Sequence, residues 1–428
     1  MFGFANFLLL ALFAAAVFDL IFALARGGGL RGALHGLWNT PHLLFGQQLA
    51  EWRLQLGRIL FAAGLAAYEI SVVFCNSMAR QNWAWVQGVM SPVLEWLAFL
   101  CFGAKILFGT RYTWRELLAG GALYFIARWV YFNSQNIWWI GIVVAVLAAK
   151  DVPLRRPLQV YFASGCAAMA VVLALHFAGI VAPDLTSERM GALRGTYGYG
   201  HPNTFGGLVF GLVLAYALLR AQKVRWMDCL LVFAVGVFLL GPASRSAALC
   251  TLALAVGLVF CRLRAGHSVP RWWPGTCAGM VGLTAAVSYL LPLLVIKVGP
   301  WNNDIGPAWL AKLDSLLTCR ISLTWMAYRL LDVKIAGQVF NWPTVDNSFA
   351  FALFQFGPVV AALLGILFAA ALWGHAKQGR RVEVCCLFAM LAYAYMEVQP
   401  FHLTTNPTAL LLCGAVFAQT SARWQKIE

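Results

Sequence analysis

The sequence predicts an all-α, polytopic integral membrane protein with about 12–14 transmembrane helices. Three observations carry that expectation. Of the 428 residues, 61% are apolar and 11% are charged, a balance outside the range of soluble domains. The apolar residues gather into runs of roughly 17–25, the length a helix needs to cross a hydrocarbon core. The lysines and arginines alternate between connecting segments in a way that a single orientation explains.

Taken in order, the runs centre on 4–25, 58–79, 88–109, 116–133, 136–149, 157–180, 204–220, 227–242, 247–261, 275–296, 348–373, 383–398 and 406–420. The pair around 227–261 is short and its ends are the least defined. The first run lacks a basic leader and a small-residue cleavage site, so it reads as a retained span and not a signal peptide. Residues 26–57 mix Gly, Trp, His, Gln and Arg with leucines, as an amphipathic helix lying on the cytoplasmic interface does. With the N-terminus outside and the C-terminus inside, twenty of the 31 Lys and Arg fall in inner segments and nine in outer ones. Every inner segment carries at least two, as orientation by positive charge requires.

The net charge of +15 is therefore a matter of loop placement, and no stretch has the pattern of a nucleic-acid-binding module. The eleven cysteines fall mostly inside apolar runs, where a thiol is a small buried hydrophobe. No Cys/His spacing suits a metal, and no cofactor is implied. One connection stands out: residues 297–347 form a long outer loop, well beyond the usual length. Within it, Ala308 to Ile335 has apolar residues at helical spacing, which predicts one or two helices at the outer surface.

The most informative stretch is the polar, Gly-rich segment Arg194-Gly-Thr-Tyr-Gly-Tyr-Gly-His-Pro-Asn-Thr-Phe-Gly-Gly207 between two apolar runs. Irregular backbone of this kind belongs at a membrane surface or in a cavity, because lipid leaves its N–H and C=O groups unpaired. Pro202 turns His201 away from helix, so Asn203 or Thr204 is expected to cap the helix that follows. The positive end of that helix favours an anion. His201 is a candidate general base, against the plainer role of satisfying the helix start. Tyr197 and Tyr199 suit sugar stacking or the membrane interface.

Three arginines stand in small polar contexts outside: Arg194, Arg245 in Ser244-Arg-Ser246, and Arg320 in Cys319-Arg320. A guanidinium is a permanent, planar fork for phosphate oxygens, and several together would stabilise a departing pyrophosphate. Each singly could instead snorkel to headgroups. Arg128, inside the fourth run, pairs with Glu95 or Glu69 or reaches the outer site. Asp346 and Asn347 make a natural N-cap, and their outer position also leaves Asp346 a catalytic candidate.

At Gly198-Tyr-Gly-His-Pro-Asn-Thr-Phe-Gly206, Ser244-Arg-Ser246, Cys319-Arg320 with Ile335-Ala-Gly-Gln338, and Asp346-Asn-Ser348 with Phe356-Gly357, the chain resembles the bacterial O-antigen polymerase/ligase superfamily. The likeness is to the Wzy-type polysaccharide polymerases of capsule and exopolysaccharide clusters and covers roughly the C-terminal half. It implies a metal-independent, GT-C-like membrane glycosyltransferase in the cytoplasmic (inner) membrane with an extracytoplasmic site. Such an enzyme transfers a growing glycan from undecaprenyl pyrophosphate to a lipid-linked repeat unit. Donor and acceptor are thus undecaprenyl-pyrophosphate-linked oligosaccharides, and a flippase and a chain-length regulator are implied as partners. The resemblance assigns pyrophosphate binding to Arg194, Arg245 and Arg320. Related ligases carry a functional His in the long outer loop; residues 297–347 contain none, which moves that role to His201 or removes it. A ligase of the same architecture differs only in its acceptor. A transporter or flippase for lipid-linked sugars calls for pseudo-symmetric halves and paired broken helices, neither of which the sequence displays.

Overall fold

The computed structural model describes residues 2–26, 29–45, 51–181, 187–189, 192–242, 244–295 and 306–417. The described chain is almost wholly helical. Helix α1 (Phe2–Ala25) leads into the short amphipathic α2 (Gly29–Asn39), which tucks Ala33 and Leu37 inward. Next come α3 (Glu51–Cys75), the single turn α4 (Ala79–Asn82), a π-helical turn at Val86–Met90, α5 (Ser91–Phe108), α6 (Trp114–Ser134), α7 (Ile137–Ala148) and α8 (Arg155–Phe177). Two small antiparallel pairs, β1 (His42–Leu43) with β2 (Arg111–Tyr112) and β3 (Ser187–Arg189) with β4 (Ala192–Arg194), tie loops together.

The second half runs α9 (Pro202–Leu219), α10 (Trp226–Phe238), α11 (Arg245–Leu263) and α12 (Trp273–Leu290). It continues through α13 (Ala308–Leu316) and α14 (Arg320–Leu330) in the long connection, where the spacing predicts one or two helices, then α15 (Ser348–Phe351), α16 (Pro358–Lys377), α17 (Arg381–Met396) and α18 (Cys413–Val416). Among the described residues, eight helices are long and apolar enough to cross a membrane: Asn6–Ala25, Glu51–Cys75, Val86–Phe108, Arg155–Phe177, Pro202–Leu219, Arg245–Leu263, Trp273–Leu294 and Pro358–Lys377. Shorter apolar helices lie at Ile137–Ala148, Trp226–Phe238 and Pro407–Val416. Many large apolar side chains point outward, among them Phe13, Leu249, Leu283 and Ile366, as hydrocarbon-facing surface does.

Several expected runs are not single α-helices: 88–109 begins in the π-helical turn, 275–296 ends in a 3-10 turn (Leu291–Leu294), and two others depart further. The run 348–373 is α15, a π-helical turn (Ala352–Phe356), a break at Gly357, and α16. Pro358 disfavours helix at the residue before it, and Gly357 takes φ +87° there. The break lets Lys334–Gln338 pack against the chain: an added Cβ at Gly357 would run into the Ile335 carbonyl, and one at Gly337 (φ +74°) into the Gln355 carbonyl. The run 406–420 starts as a 3-10 turn, Pro407–Leu412, capped by Asn406 and continued by α18. Residues 418–420 lie outside the described chain.

Helix α9 is the hub of the second half, packed against α8, α11 and α17. Its glycines permit that proximity. A Cβ at Gly206 would collide with Ser244, at Gly207 with Gln399, and at Gly211 with the Thr404 carbonyl. At one end of the bundle, Lys105 and Lys150 are buried and matched: Lys150 Nζ lies 3.3 Å from Glu116 and 3.7 Å from Asp151, and Lys105 donates to Thr110 Oγ1 at 2.6 Å. Beside α2, burial alone would lower the His42 imidazole, but the Asp19 carboxylate 3.4 Å from its Nε2 and the Thr40 carbonyl at its Nδ1 raise it above its ordinary value.

Gly357→Ala should be among the costliest single substitutions outside the polar site, because it meets both a left-handed φ and a carbonyl. We expect a loss of about 2–4 kcal/mol, read as a lower melting temperature in detergent. An unchanged melting temperature would contradict the packing described.

Candidate functional site

The end of the bundle opposite Lys105 and Lys150 carries a buried polar cluster. It begins with the corner between α13 and α14. Thr318 (φ +59°) and Cys319 (φ +65°) both occupy the left-handed region, which is strained for a β-branched residue. The buried Asp314 carboxylate holds the corner by accepting from Ile321 N at 2.7 Å, Ser322 N at 3.2 Å and Ser322 Oγ at 2.8 Å. This satisfies the open N–H groups of the first turn of α14 and fixes Arg320, its first residue, facing the bundle.

Arg320 is 7% exposed. Its Nη2 donates to Glu397 Oε1 at 2.5 Å, and its Nε lies 3.8 Å from Asp346 Oδ2. That Nε–H makes no hydrogen bond among the described residues. Glu397, at the end of α17 and 4% exposed, is the centre of the cluster. It also accepts from Asn203 Nδ2 at 3.0 Å and is hydrogen-bonded by Ser246. Ser348 Oγ donates to its main-chain carbonyl at 2.5 Å. Four segments far apart in sequence, 201–207, 244–246, 319–320 and 346–348, therefore meet at Glu397, three at its carboxylate and the last at its main-chain carbonyl.

The other expected site residues fall as follows. Arg245 opens α11, is exposed, and has no ion-pair partner among the described residues. Arg194 ends β4 opposite Ser187; its side chain lies outside the described set. His201, and not Asn203 or Thr204, caps α9: its Nδ1 accepts from Asn203 N at 3.1 Å. In the neutral ring that assignment puts the proton on Nε2, so a base role would require giving up the cap. Asn203 is freed from capping and reaches Glu397. Asn347 caps α15, accepting from Phe349 N at 2.9 Å and Ala350 N at 3.2 Å, and donates to Ser288 Oγ at 3.1 Å. Asp346 is not part of the cap and stays half-buried beside Arg320.

The two tyrosines are packed inward. Tyr197 (φ +50°) sits among Phe205, Phe238 and His176 at centroid distances of 5.1, 6.2 and 6.5 Å. Tyr199 is fully buried and bridges by its backbone to Ser77. Neither offers an open ring face at the cluster. Arg128 pairs with neither Glu95 nor Glu69: its Nε donates to Asn6 Oδ1 on α1 at 2.7 Å, and it lies over Phe132. Glu397, Ser246, Ser348 and Asp314 were not among the expected residues. The available signal was Glu397 itself, a carboxylate in an otherwise apolar run at Tyr-Met-Glu-Val, since a charge in such a run is functional by default. Nearby, His402 stacks on Trp138 at 3.7 Å and burial pushes it down to about 3, so it remains neutral.

No family model, curated protein or solved structure matches this chain.

Cutting one partner of the Arg320–Glu397 pair leaves a buried, unmatched charge. Arg320→Leu and Glu397→Leu should each cost about 3–5 kcal/mol, while the double variant should cost clearly less than the sum. Thermal unfolding of the four proteins in detergent measures this. Additive losses would show that the pair is not coupled.

Proposed function

We propose that this chain is a polysaccharide polymerase of the cytoplasmic membrane, built of about 12–14 spans with the N-terminus outside and the C-terminus inside. It transfers a growing glycan from undecaprenyl pyrophosphate to a lipid-linked repeat unit on the outer face. The observation that carries this reading is the convergence of the four resembling segments on Arg320 and Glu397. Segments that shared only a packing role would have no reason to supply a guanidinium, a carboxylate, an amide and two hydroxyls around a buried glutamate.

In the proposed reaction the acceptor hydroxyl oxygen bonds to the anomeric carbon of the donor. The bond from that carbon to the pyrophosphate oxygen breaks, and the pyrophosphate keeps the electron pair. The hydroxyl proton passes to Asp346, which is half-buried and outside any cap. Arg320 offers its open Nε–H to the developing charge. Glu397 and Asp346 offset its positive charge, so Arg245 and Arg194 supply the further cations a pyrophosphate needs. The N-terminal ends of α9 and α11 add their dipoles at the same place. Glu397 is a positioning residue: it holds the guanidinium against Asn203 and Ser246. Such preorganised charge is the main means of catalysis where the leaving group is already good.

A deletion strain complemented with wild type, Arg320→Lys or Asp346→Asn tests this, with sizing of the lipid-linked glycan. Losing the bidentate fork or the proton acceptor should reduce chain extension about 100-fold or more at normal protein level, leaving single repeat units on the lipid. Long chains stranded on the lipid would instead mean a ligase. Unaltered ladders with both variants would overturn the site.

A further inference from the structure

Between α12 and α16 runs an apolar groove of about 570 Å³, lined by Gly279, Gly282, Ala285, Ala362, Gly365 and Ala369 among others. It adjoins an inner cavity of about 100 Å³; Val281, Tyr289, Phe349, Ala361 and Gly365 border both. The outer part is flanked by outward-facing Leu283 and Ile366. The inner part reaches Ser348, whose hydroxyl is bonded to Glu397. Small residues alone would be ordinary helix-packing surface, but here the helices do not fill the space. An added Cβ at Gly279, Gly282 or Gly365 would meet nothing within 4 Å.

A second observation points to a ligand. Trp139, in the first turn of α7, borders the inner cavity and is 1% exposed, and its indole N–H has no hydrogen-bond partner among the described residues. A buried donor of that kind normally finds an acceptor. The passage is thus mostly apolar, and its inner end holds an open donor and Ser348, which is bonded to the main-chain carbonyl of Glu397.

We propose that this passage holds the isoprenoid chain of the lipid-linked substrate, entering between α12 and α16, with its diphosphate end delivered past Trp139 and Ser348 to Arg320. The inference rests on the polymerase reading and adds to it where the lipid lies and that chain length is sensed there.

The test uses the full-length protein in nanodiscs and two radiolabelled probes, undecaprenyl diphosphate and the short geranyl diphosphate. Wild type should bind the long chain about tenfold or more tightly than the short one. Gly365→Trp and Gly282→Trp, at positions on facing helices where an added Cβ meets nothing within 4 Å, should remove that preference and leave geranyl diphosphate binding and the melting temperature unchanged. Equal affinity of wild type for both chains overturns the groove, independently of either variant. So does a long-chain preference that survives in a folded variant, or equal displacement by phosphatidylglycerol. Failure of wild type to bind either diphosphate overturns the polymerase reading itself.

Discussion

A guanidinium enclosed by an apolar helix bundle has to be matched by a carboxylate and by enough hydrogen bonds to replace water, and in this protein Arg320 and Glu397 meet that demand together. Much of the architecture at that end follows from keeping the pair satisfied. Asp314 and the left-handed corner at Thr318 and Cys319 set the direction of α14, so that its first side chain enters the bundle. The His201 cap leaves Asn203 available to the carboxylate. The Asn347 cap places Ser348 against the Glu397 carbonyl. Each local device is ordinary, and together they leave the Nε–H of the guanidinium without a hydrogen-bond partner among the described residues.

Close packing of backbone is the second requirement. Four segments can reach one residue, Glu397, only if the helices carrying them come nearer than side chains usually permit. Gly206, Gly207 and Gly211 let α9 press against Ser244, Gln399 and Thr404, and Gly337 and Gly357 let the end of the long connection cross the broken helix. The Gly-rich character of these motifs thus has a packing cause as well as any role at a ligand. The same break opens α16 beside α12, where the glycines are spaced apart and a groove is left.

Most of the helices could be read from the sequence, because a run of apolar residues long enough to cross a membrane has few alternatives. The break at Gly357 was hidden inside such a run: hydropathy does not register a turn whose residues are themselves apolar. At the site, Arg320, Asn203 and Asp346 were recognisable as polar residues in exposed-looking contexts. Glu397 was marked only by its charge inside an apolar run, and its importance lies in what it touches from four other segments. His201 was expected beside the helix and proved to be its cap, a role the Pro at the next position makes room for but does not specify. Tyr197 and Tyr199 look like ligand platforms in a Gly-rich loop, yet the turn that the glycines allow folds both rings into the aromatic core.

The claim on which the account stands is that Arg320 and its neighbours form an anion site at the end of the bundle that carries the long connection. The most direct measurement is an experimental structure of the full-length protein in nanodiscs with added undecaprenyl diphosphate. The account expects phosphate density within hydrogen-bonding distance of the Arg320 guanidinium, between the start of α9 and the start of α11, with Arg320 still held by Glu397. Phosphate density bound elsewhere, for instance near Lys105 and Lys150, with the Arg320 cluster closed and unchanged, would contradict it.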